Sequence, residues 1–101
     1  MDNRIDQIIE QLKDVYDPEI PVNIYDLGLI YNVDIDDENQ ANIIMTLTAP
    51  GCPVADMLVE DTRQAALSVE GVEDAHVELT FDPPWDKSMM SEEARLELGF
   101  F

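Results

Sequence analysis

Between residues 41 and 48 the side chains alternate, with Ala41, Ile43, Met45 and Leu47 on one side and Asn42, Ile44, Thr46 and Thr48 on the other. A period of two belongs to a half-buried strand. The alternation stops at Ala49-Pro50-Gly51-Cys52-Pro53, where Pro-Gly turns the chain and Pro53 suits the first position of a helix, its fixed φ being helical and its missing N–H unneeded there. A helix follows over residues 53 to about 70. Val54, Leu58, Ala65, Ala66 and Val69 form its buried stripe, Asp56, Glu60, Arg63 and Gln64 lie outside, and Gly71 ends it. A third alternation, Ala75, Val77, Leu79 and Phe81 against His76, Glu78 and Thr80, makes another strand, parallel to the first because a helix separates them.

Upstream, residues 27–36 alternate with Leu29, Tyr31, Val33 and Ile35 facing one way and Ile30, Asn32 and Asp34 the other. The polar turn Asp36-Asp37-Glu38-Asn39 joins this strand to the next as an antiparallel hairpin. Ile30 and Ile44 then fall on the open face, where they would seed a dimer contact if they were neighbours. Ile5, Ile8, Ile9, Leu12 and Val15 recur at helical spacing and predict a helix over residues 2–16, stopped by Asp17-Pro18-Glu19-Ile20-Pro21. That acidic connector is either a plain helix stop or a device that aims Asp17 and Glu19 at a site. Beyond Asp82-Pro83-Pro84-Trp85, Ser91 caps a short terminal helix that ends at Gly99, while Trp85, Met89, Met90, Phe100 and Phe101 close over the core or a neighbouring subunit.

The expected fold is α/β in the α+β sense and two-layered. Its order is helix, hairpin, helix, strand, with a small mixed three-stranded sheet covered by two helices and a short C-terminal helix added. At 101 residues the chain is expected to form one domain, residues 1–101.

Asp and Glu number 23 against 5 Lys and Arg, a net charge of −18. Such a field repels polyanions and offers no basic patch to neutralise them, so nucleic acid and anionic membranes are excluded as expected partners. No apolar run approaches the roughly 20 residues that span a bilayer, and the start does not resemble a signal peptide. A cytoplasmic location is expected. A single cysteine makes no internal disulfide, in keeping with a reducing compartment.

Cys52 is the chemical lead. The spacing puts it at or next to the N-cap of the second helix, where unpaired backbone N–H groups and the positive end of the macrodipole favour thiolate over thiol. The bland alternative is a small buried hydrophobe. There is no CxxC, no glycine-rich phosphate loop and no GxSxG elbow. The lone histidine, His76, belongs on the polar side of its strand among acidic neighbours, away from Cys52, which disfavours a Cys-His hydrolase. Clusters are usually held by four thiolates, so any cluster would have to be shared between chains or passed to a partner.

Three segments together resemble a known family. They are the run from Asp17-Pro18-Glu19-Ile20-Pro21 through Asp26-Leu27-Gly28-Leu29-Ile30, the run Thr46-Leu47-Thr48-Ala49-Pro50-Gly51-Cys52-Pro53, and Phe81-Asp82-Pro83-Pro84-Trp85. The chain is similar along nearly its whole length to the iron-sulfur cluster assembly domain family, in its SufT and PaaD-like branch. The resemblance implies the family's reactive cysteine at Cys52, with a surrounding pocket to which Asp17, Glu19 and Thr48 correspond. It also implies an auxiliary role in maturing iron-sulfur proteins. PaaD-type members carry further cysteines near the C-terminus, which this sequence lacks, and the departure points to the stand-alone SufT-like type.

Three functions stand open at this stage. One is a non-enzymatic maturation factor that uses Cys52, as cluster ligand or docking point, with client apoproteins or other iron-sulfur assembly proteins as partners. Another is a thiol enzyme or redox protein with Cys52 as nucleophile and Asp17 or Glu19 handling protons. The last is a pure adaptor in which Cys52 only packs. A homodimer is expected under the first, because two-fold symmetry doubles the thiolates available to a shared cluster.

Overall fold

The computed structural model describes residues 3–17, 20, 22–48 and 55–99. In chain order the elements are α1 (Asn3–Leu12), β1 (Ile30–Ile35), β2 (Gln40–Met45), α2 (Ala55–Leu67), β3 (Asp74–Leu79), a 3₁₀ turn (Lys87–Met89) and α3 (Glu92–Leu98). The sheet has the order β1-β2-β3, with β1 antiparallel and β3 parallel to the central strand. This is the expected mixed sheet. Ala41, Ile43 and Met45 of β2 are buried together with Ile8 and Leu12 of α1 and Leu58 and Ala66 of α2, so both helices cover one face. No helix among the described residues is long and apolar enough to cross a membrane.

Three local differences from the expected pattern have physical causes. Helix α1 ends at Leu12 rather than Tyr16, because Asp14 N and Val15 N bond back three residues, to Gln11 O and Leu12 O, and Tyr16 is drawn into an isolated antiparallel bridge with Asn23. Strand β1 begins at Ile30 with an extra residue, Tyr31, between the pairs Ile30 with Met45 and Asn32 with Ile44. That bulge turns Ile30 to the core side with Met45, so Ile30 and Ile44 are not cross-strand neighbours. On α2, Thr62 joins Leu58 and Ala66 in the fully buried stripe, its hydroxyl donating to Leu58 O at 2.7 Å so that burial leaves no donor unmet.

The hairpin turn is held by the Asp36 carboxylate, which accepts from Glu38 N at 2.9 Å and Gln40 N at 3.0 Å, while Asn39 takes the left-handed conformation at φ 63°. Arg4 donates to Asn39 Oδ1 at 2.7 Å and to Gly71 O at 3.0 Å, latching α1 to the hairpin and to the turn before β3. Arg63 ties α2 to β3, donating to Ala75 O and pairing with Asp74.

The C-terminal segment forms a strap over residues 24–31. Trp85 Nε1 donates to Leu27 O at 2.7 Å, the Tyr31 hydroxyl donates to Pro83 O at 2.7 Å, and Ser91 N donates to Asp26 O at 2.8 Å. Met90 and Ala94 are its buried residues and pack into the core. Ser91 caps α3 by accepting from Ala94 N, and Gly99 closes it in the left-handed conformation, as the sequence predicts. Phe100 and Phe101 lie outside the described residues.

Candidate functional site

Several chain ends meet at one edge of the sheet. Ile24 N donates to Val15 O, Leu29 N to Ile24 O, Thr46 N to Leu29 O and Thr80 N to Met45 O. These bonds gather the end of α1, the start of β1, and the ends of β2 and β3 in one place. The hairpin turn, Arg4 and Gly71 occupy the opposite end.

Asp17 follows directly on the bridge between Tyr16 and Asn23 and is only 6% exposed. Its carbonyl accepts from Ile20 N. Burying a carboxylate is costly unless its oxygens are satisfied, and no buried side-chain nitrogen or oxygen among the described residues lacks a hydrogen-bond partner. After the bridge, Asn23 and Asp26 lock a tight turn, Asn23 Nδ2 donating to Asp26 Oδ2 at 2.8 Å and Asp26 N to Asn23 Oδ1 at 2.9 Å. Lys13 lies over the ring of the next aromatic, Tyr25, 5.5 Å from its centroid. The bridge between Tyr16 and Asn23 and the turn from Asn23 to Asp26 thus fix the chain next to Asp17.

Thr48 is half-buried, just past the buried Thr46 and Leu47 where β2 leaves the sheet. Asp17 and Thr48 thus belong to the same end of the fold. Glu19 and Cys52 lie outside the described residues. His76 pairs with Asn42 on the open face, away from Thr48. Among the described residues no three His, Cys, Asp or Glu side chains converge to hold a metal ion.

Helical spacing alone puts Tyr16 at the last position of a helix, whereas it stands 55% exposed beside Asp17. Alternation likewise puts Thr46 on a polar face, whereas Thr46 is fully buried between the segments carrying Leu29 and Thr80. The Asn-x-x-Asp spacing of the turn at Asn23 was the available clue that this stretch folds back on itself.

Residues 5–79 match the model of a family described as iron-sulfur cluster assembly protein. A Porphyromonas gingivalis protein named Fe-S protein maturation auxiliary factor is 58% identical over 95 residues, covering 94% of this chain and 90% of that protein. The Fe-S protein maturation auxiliary factor YitW of Bacillus subtilis is 39% identical, covering 93% and 92% of the two chains. The crystal structure of a domain of unknown function from Bacillus anthracis superposes with a TM-score of 0.89 at 37% identity, covering 97% of this chain and 93% of that one.

Proposed function

This chain belongs to the iron-sulfur cluster assembly protein family, and we propose that it serves as an auxiliary factor in the maturation of iron-sulfur proteins, acting through Cys52. The supporting observation is the convergence at one end of the sheet. Asp17 is buried there beside the bridge between Tyr16 and Asn23, Thr48 follows β2 there, and the sequence between Thr48 and Ala55 carries the single cysteine. Asp17, Glu19 and Thr48 are the residues we assign to the surroundings of the thiol.

The iron-sulfur cluster is cargo in this scheme. One thiolate per chain, against the four that usually hold a cluster, makes it a shared load, completed by a second copy or by the client apoprotein. A symmetric homodimer doubles the thiolates, with Ile44 as available apolar surface on the open face. The role is carriage or docking rather than catalysis. We also take residues 1–101 as one domain working in the cytoplasm, where the thiol stays reduced.

Anaerobic reconstitution with iron and sulfide, followed by activation of a client apoprotein, tests the assignment. Cys52→Ser and Cys52→Ala should both fail while their melting curves stay within about 1 kcal/mol of wild type, serine being nearly isosteric and itself a good helix cap. Full maturation activity in both variants would overturn the thiol's role and leave a pure adaptor.

A further inference from the structure

Tyr16 is a large side chain left outside just beyond the end of α1. Its backbone is held by the bridge to Asn23, and Ile24 N donates to the neighbouring Val15 O at 2.8 Å, yet the residue is 55% exposed. It stands as a ridge between two depressions. On one side a cleft of about 290 Å³ lies between residues 22–26 and α3, with Val22 and Ala94 at its apolar part and Asp26, Glu93 and Glu97 around it. On the other an open groove of about 390 Å³ runs between the end of α1 and α2, with Val15 and Ala65 as its apolar part and Asp14 and Asp61 at its sides.

An exposed aromatic on a fixed backbone, flanked by recesses with apolar and polar parts, has the anatomy of a protein contact surface: an aromatic anchor at the centre and a polar rim. The rim decides the sign of the partner. It carries five carboxylates, Asp14, Asp26, Asp61, Glu93 and Glu97, and among the described residues no lysine or arginine lines either depression. A bare metal ion is a poor occupant, because no three such groups converge among the described residues. A second copy is poor too. Another chain would bring 23 carboxylates and only five cations to this face, two of which, Arg4 and Arg63, are already bound across its own elements.

We propose that the Tyr16 ridge and its two flanking recesses dock a protein segment bearing arginine or lysine side chains, one cationic side chain entering beside Asp26, Glu93 and Glu97 and another lying along the groove beside Asp14 and Asp61. The aliphatic stem of such a side chain covers Val22 or Val15 while its head meets the carboxylates, and a guanidinium can stack on the Tyr16 ring. The inference rests on the maturation role proposed above and names the client surface that role would engage. Tyr16 immediately precedes Asp17, so a segment seated here is delivered to the end of the sheet where the thiol is assigned.

The test is an amide-resolved NMR titration of the ¹⁵N-labelled full chain with the peptide acetyl-Arg-Leu-Arg-Lys-amide, alongside a peptide with glutamates in place of the cations. Shift changes should concentrate at Tyr16, Asn23, Asp26, Glu93 and Glu97 with the basic peptide and be absent with the acidic one. Tyr16→Ala, and separately the pair Glu93→Gln and Glu97→Gln, should each weaken binding about fivefold or more, whereas Asp34→Asn with Glu78→Gln, an equal charge loss on the open face, should change it less than twofold. The dispersed spectrum reports folding in every variant, and the exposed α3 pair keeps the test decisive if Tyr16→Ala does not fold. Shifts spread over the whole acidic surface, or equal weakening by the open-face pair, would overturn the docking site and leave only attraction to a negative field. No cluster or client enters this measurement, so Cys52→Ser should bind the peptide like wild type. A Cys52→Ser protein that binds the peptide and still matures clients would refute the thiol role alone.

Discussion

Gly28, at φ +81°, lies directly beneath the backbone of Met89, so that a β-carbon on Gly28 would sit 2.7 Å from the Met89 carbonyl carbon and 2.9 Å from its Cβ. Two penalties coincide there, a left-handed backbone and a collision with main chain that cannot rotate away. Gly28→Ala should lose about 2–4 kcal/mol and Gly28→Val more, seen as a lower urea midpoint. A Gly28→Ala midpoint equal to wild type would mean that the strap lifts off this glycine at little cost.

The strap should open before the sheet does. Trp85→Phe keeps the ring but removes the donor to Leu27 O, and should cost about 1 kcal/mol; Trp85→Ala, which also empties a half-buried site, about 2–3 kcal/mol. Amide exchange should quicken across residues 81–98 in both variants while β2 amides stay protected. Uniform quickening would show that strap and sheet unfold as one unit.

The carboxyls of Asp36 and Asp86 are held below the ordinary carboxylate value of 3.8, Asp36 chiefly by the Gln40 backbone N–H and Asp86 chiefly by the Ser88 hydroxyl. A group whose pKa is lowered by folding adds stability above its unfolded pKa, and that stability is lost as pH falls through the folded value. Asp36→Asn should therefore melt lower than wild type at pH 6, and the gap should close below pH 3.8 as the wild-type carboxyl protonates. Comparing the two proteins at each pH cancels the general relief of repulsion in a chain of net charge −18. A gap that stays constant with pH would remove Asp36 from the acid response.

Arg4→Met should cost about 1–2 kcal/mol by releasing the contacts to Asn39 and Gly71. Lysine has a point charge where the guanidinium has a fork, so Arg4→Lys should recover less than half of the loss. Thermal melts of the three proteins decide it.

The regular elements were legible because each announces itself by period. The stripe of Ile8 and Leu12, the alternation through Ala41, Ile43 and Met45, and the Ser91 and Gly99 caps all appear where local pattern places them. Contacts made across the chain had no local signal. The bulge at Tyr31 reverses Ile30, and the Tyr31 hydroxyl reaches Pro83 and Met89, which lie 52 and 58 residues away in sequence. Of the candidate site residues, Asp17 and Thr48 lie among the described residues, at one end of the sheet, and the burial of Asp17 beside the bridge between Tyr16 and Asn23 is a contact that spacing alone does not reveal.

The Arg4 latch has a consequence for the order in which the protein is made. Arg4 of helix α1 leaves the ribosome before the partners it anchors to, Asn39 and Gly71, which follow 35 and 67 residues later. At synthesis rates of about 5–20 residues per second, the second contact waits about 3–13 s. For that interval the apolar stripe of Ile5, Ile8, Ile9 and Leu12 meets at most the β1–β2 hairpin, with β3 not yet made, and the high density of negative charge helps keep that stripe from other chains.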